Sequence, residues 1–177
     1  MSDDALLAMR NSESAQPLRE ALRSVVILPN YTLFMPHLFK VATSPSVTNK
    51  TPMKVSDDFL KQFVGDGRNA YPAVQQPVRA WELNRHLQTA AIIKFFNGDE
   101  HKYVTTTADL WRLLNLQPKG EQGLLLTNGD ANMFFMRTPS GDLWPITARW
   151  RGSWHIDTPG DDGQGHWSKN RLIITRV

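Results

Sequence analysis

The chain has 177 residues, 41% hydrophobic and 21% charged, with a formal net charge of +3. That length suits one ordinary domain carrying an N-terminal arm, and that composition disfavours wholesale disorder. Cysteine is absent, which excludes disulfides, thiolate zinc sites and cysteine nucleophiles.

No apolar run approaches the roughly 18 residues a membrane helix needs, so no membrane partner is expected. The opening MSDDALLAMRNSES places acids where a secretory signal would carry bases, which predicts a cytoplasmic protein. The positive charge is not gathered in a tail. Residues 120–177 hold 6 Lys or Arg against 6 Asp or Glu, so any basic patch has to be assembled by folding.

Residues 1–41 read as an arm. Ser2 caps a short helix to about Met9, and Pro17 opens a second in which Leu18, Leu22, Val25 and Val26 form one stripe before Pro29. This arm could dock on a partner protein or on a second copy. Tyr31 to Val41 is apolar and extended, with Pro36 marking an edge strand or a bend. Residues 42–55, rich in Ser, Thr and Pro, predict a linker or mobile loop.

Residues 56–177 then form a single α+β domain, with helices in 56–118 and a β-meander in 123–177. Ser56 caps a helix that buries Phe59, Leu60, Phe63 and Val64 and ends at Gly65. Pro77 opens another, with Ala80, Leu83, Leu87, Ala90 and Ala91 at helical spacing. At its end Gly98 reads as a helix cap in preference to an Asn97-Gly98 hairpin turn, because the pattern is unbroken. Thr106 and Asp109 resemble a capping box ahead of Leu110, Trp111, Leu113 and Leu114, a helix stopped by Pro118.

From Gly123 the texture turns to β: GLLLTN, NMFFMRT, Leu143 to Asp157, and NRLIITRV. The third is the most regular stretch in the chain. Trp144, Ile146, Ala148, Trp150, Trp154 and Ile156 alternate with Thr147, Arg149, Arg151, Ser153, His155 and Asp157, so one face is buried and the other polar. Extended, it would run about 50 Å, too long for one strand, and Gly152 marks the bend or bulge. The expected architecture is α+β: an N-terminal helical arm and two or three helices packed on a C-terminal antiparallel sheet of four to five strands.

No phosphate loop, nucleophile elbow, zinc-helix or dinucleotide motif is present, so no cofactor is implied and an enzyme is disfavoured. Ser153, His155 and Asp157 share a face, but same-face neighbours project in parallel about 7 Å apart, which is unsuited to a triad. His155, Asp157, Asp161, Asp162 and His166 offer metal-binding atoms at no standard spacing, and a solvated acidic loop is the simpler reading. The helix Thr106–Leu116 raises a helix-turn-helix, yet its expected outward residues, Asp109, Arg112 and Asn115, are weakly basic.

Arg149, Arg151 and His155, with Lys169 and Arg171 nearby and Trp167 to stack on a base, make the remaining constellation. Arginines on a sheet beside an aromatic ring suit single-stranded nucleic acid. The plain alternative is a solvated face paired with carboxylates across strands. The expectation is therefore a non-enzymatic binding protein for single-stranded nucleic acid. An assembly component acting through residues 1–41 and exposed apolar surface is second, and a metal-dependent hydrolase is a distant third.

Overall fold

Alternation governs more of this chain than helical periodicity does. The computed structural model describes residues 18–27, 31–34, 38–43, 51, 53–65, 71–73, 77–159 and 165–177. One eight-stranded sheet dominates it, in the order β1 (Leu18–Ile27), β5 (Pro77–Leu83), β12 (Leu172–Arg176), β8 (Asn132–Arg137), β9 (Leu143–Trp150), β10 (Trp154–Asp157) and β3 (Met53–Val55). The short β7 (Val104–Thr105) also pairs with β8. Two ribbons flank the sheet, β2 (Tyr31–Phe34) with β4 (Tyr71–Ala73) and β6 (Leu87–Gln88) with β11 (His166–Trp167).

The fold is α+β with few helices, but the sheet is mixed and larger than expected. β8 and β9 pair antiparallel as the sequence predicts, and β10 folds back antiparallel on β9, where one bent strand was expected. The chain then returns through residues 158–171, and β12 pairs in parallel with the other edge of β8. A parallel pairing needs a long crossover, and this connection provides it. β3 adds in parallel to β10, so residues from before the expected domain start complete the sheet.

Two expected helices are strands. Residues 18–27, read as a helix after Pro17, form β1 and pair with β5, because Val25, Val26 and Ile27 suit a pleated surface and tertiary pairing overrides a weak helical stripe. Pro77–Leu83 is β5: Val78 and Ala80 enter one core while Trp81 and Leu83 face the other, a period of two that the spacing of Ala80, Leu83 and Leu87 disguised. The segment GLLLTN is no strand. Its Leu124 and Leu125 are buried in a loop whose backbone bonds to side chains. Gln117 donates to the carbonyls of Glu121 (2.7 Å) and Leu125 (3.1 Å) and accepts from Leu125 N–H, while Asn132 accepts from Leu126 N–H and donates to Leu126 and Ala148 carbonyls. The first helix expected from Ser2 lies outside the described residues.

The helices are α1 (Leu38–Ala42), α2 (Asp57–Phe59, continued by a π turn over Leu60–Val64), α3 (Thr89–Phe95), α4 (Glu100–Tyr103) and α5 (Thr107–Leu116). Ser56 and Thr106 cap α2 and α5 as predicted, the latter through a complete capping box with Asp109. After α3 the chain turns with Asn97 and Gly98 both at positive φ, and no hairpin forms there. Among the described residues no helix is long and apolar enough to cross a membrane.

Two apolar cores sandwich the sheet. On one face Phe134, Met136, Ile146, Ala148, Trp154 and Ile156 pack under α1, α2 and α5; on the other Met133, Phe135 and Ile173 pack with Ile92, Phe96, Tyr103 and Trp167. The ends of the expected 42–55 linker belong to this structure, since Ala42, Thr51 and Met53 are buried.

Candidate functional site: a basic row across the sheet

The alternating run Leu143 to Asp157 is two strands, not one. Residues Arg151 to Ser153 turn the chain, Gly152 at φ 74, and Trp154 pairs back on Trp150. The turn sets His155 directly opposite Arg149 on the polar face. β3 sets Lys54 opposite His155 from the other side. Arg171 precedes β12 by one residue, at the alternation position of Ile173, and the Leu172–Asn132 pairing brings it level with the end of β9 that carries Arg149.

Arg171, Arg149, His155 and Lys54 therefore lie in a row perpendicular to the strands. With strands about 4.8 Å apart, the four inter-strand steps from β12 to β3 span about 19 Å. Ala131, fully buried, precedes β8 at the middle of the row. Arg151 overhangs the row from the turn, and Asp157 is the carboxylate two residues along from His155.

The electrostatics agree with crowding of like charge. Partial burial, with Arg171 and Arg151 nearby, lowers the pKa of Arg149 from its ordinary value, and Asp157 offsets part of this. Arg149 nonetheless stays protonated at any physiological pH. Partial burial, then Lys54 and Arg151, lowers His155, with Asp157 again opposing. Among the described residues, none of Lys54, Arg149, Arg151, Lys169 and Arg171 lies within ion-pair distance of a carboxylate. Beside the row, Thr147 is fully buried, and its hydroxyl has no hydrogen-bond partner among the described residues.

Two other arginines near the sheet are committed. Arg137 is ion-paired with Glu100, and Arg176 pairs at 2.8 Å with Asp109, a residue 1% exposed. A cleft of about 380 Å³ at the far end of β12 is lined by Glu100, His101, Val104, Arg176 and Val177, and its cation is thus already neutralised.

Of the expected site residues, the structure brings together Arg149, Arg151, His155 and Arg171. Lys169 lies just outside, in an exposed turn with Asn170 at φ 69. Trp167 is corrected: it is 4% exposed, packs in the second core and donates from its indole N–H to Thr89 Oγ1 at 2.9 Å, so it presents no ring to a base. The helix-turn-helix reading also fails. Asp109 and Arg112, expected to point outward from α5, are each 1% exposed. The described residues contain no cluster able to hold a metal ion, although residues 160–164 of the acidic loop lie outside them.

Lys54 was missed. Its only local signal is the alternation Met53-Lys54-Val55, three residues inside a stretch of loop-like composition. No protein-family model, curated protein or solved structure matches the chain.

Proposed function

We propose that this chain is a non-enzymatic binding protein that holds single-stranded nucleic acid by its phosphates along Arg171, Arg149, His155 and Lys54, with Arg151 at the rim. The observation that carries the reading is a line of basic side chains drawn from separate strands, whose lysine and arginines have no carboxylate paired to them among the described residues. Collecting like charges without counter-ions costs free energy, which an anionic ligand would recover. An extended row of charges suits a flexible backbone, whereas reading a duplex groove needs a protruding helix, and α5 is buried on its polar side. With Trp167 in the core, phosphate contacts carry the affinity and base identity matters little.

Phosphate binding to single strands gives a salt slope of about 0.7 per contact in log affinity against log salt. The double variant Arg149→Gln/Arg171→Gln should bind oligonucleotides more weakly, with the slope flattened by up to about 1.4. Its melting temperature should barely move, since neither arginine makes an ion pair among the described residues. Wild-type protein without salt-sensitive binding at micromolar concentration and low ionic strength would end this reading.

A second reading, self-association through residues 1–41, draws on β1. It is the outermost strand of the sheet, ten residues long, and its outer edge has no partner among the described residues. Light scattering after size exclusion distinguishes a dimer from a monomer.

A further inference from the structure

His155 differs from its neighbours in the row because its charge is conditional. Its registered partners on both sides are cations, Arg149 on β9 and Lys54 on β3. Arg151 adds a third from the turn, and among the described residues Asp157 on its own strand is the acid that opposes them. We propose that a polyanion bound along this row is taken up together with one proton, which His155 receives. The inference rests on the phosphate-binding reading and specifies how that site is regulated.

In the free protein, like charges and partial burial both disfavour the imidazolium, and Asp157 is too exposed to reverse them. A phosphate lying between Lys54 and Arg149 changes the sign of the local field. An opposite charge within about 4 to 6 Å favours the protonated form, and the imidazolium offers two N–H donors where the neutral ring offers one. The bound state therefore holds its proton to a higher pH than the free state. By linkage, affinity rises as pH falls through the window between the two. The lysine and arginines of the row set a constant background of attraction, on which His155 imposes the pH dependence.

The experiment uses the full chain and a fluorescent oligothymidylate, whose bases do not titrate near neutrality, at fixed ionic strength from about pH 5.5 to about pH 8. Wild-type affinity should rise as pH falls, by up to about tenfold per unit at its steepest. His155→Gln should lose this slope and bind more weakly than wild type at the acid end. His155→Lys, with a permanent charge, should be flat in pH and bind at the acid end about as wild type does. Melting curves in each buffer establish that every variant is folded. Salt-sensitive binding that is flat in pH, or a slope that survives in His155→Gln, overturns this inference and leaves the phosphate reading standing. Loss of salt-sensitive binding at every pH overturns both.

Discussion

Trp150 and Trp154 share the apolar side of the hairpin, face each other at 5.4 Å between ring centroids, and differ in burial. Trp154 is fully buried and its indole donates to the Gln117 carbonyl at 2.9 Å, tying the hairpin to the loop after α5. Trp150 is half-buried against Gly120, whose positive φ and lack of a side chain let the ring approach; a Cβ there would lie 2.2 Å from it. Trp154→Ala should therefore cost about 3 to 5 kcal/mol in chemical denaturation, and Trp150→Ala clearly less. Equal losses would contradict the difference in burial.

Among the elements, α5 shows how a polar residue can hold an apolar helix in place. Asp109 closes the capping box with Thr106 and accepts from Arg176 Nε at 3.0 Å, so one carboxylate fixes both the start of α5 and the end of β12. Asp109→Ala removes the N3 half of the box and leaves Arg176 unpaired against a buried wall. The expected cost is about 2 to 4 kcal/mol. Hydrogen exchange should quicken at the first turn of α5 and at the end of β12 together. Exchange that quickens in only one of them would separate the two roles.

At the scale of the whole molecule, the basic row exists only because the sheet is mixed. Lys54 and Arg171 lie far apart in sequence and reach Arg149 and His155 through the parallel additions of β3 and β12. Lys54→Gln should thus flatten the salt slope of oligonucleotide binding by up to about 0.7, as much as losing one of the arginines. Its exposed side chain predicts an unchanged melting temperature. A slope equal to wild type would remove β3 from the binding surface.

The strand-forming segments of β8, of β9 together with β10, and of β12, the caps at Ser56 and Thr106, and the common polar face of Arg149 and His155 were legible in the chain, because alternation and capping are local properties. Mutual position was not. β1 and β5 carry enough helical spacing to mislead when read alone, and they become strands because each pairs along the growing edge of a sheet. Trp167 follows a polar stretch of sequence, and only its packing in the second core, with its indole on Thr89, buries it. Lys54 joins the site through three residues of parallel pairing, too few to leave a pattern. Residue type and local period thus determined which segments could be strands and which side chains could bind an anion. Long-range pairing alone decided which of those side chains lie side by side, because hydrogen bonds between strands far apart in sequence set the register.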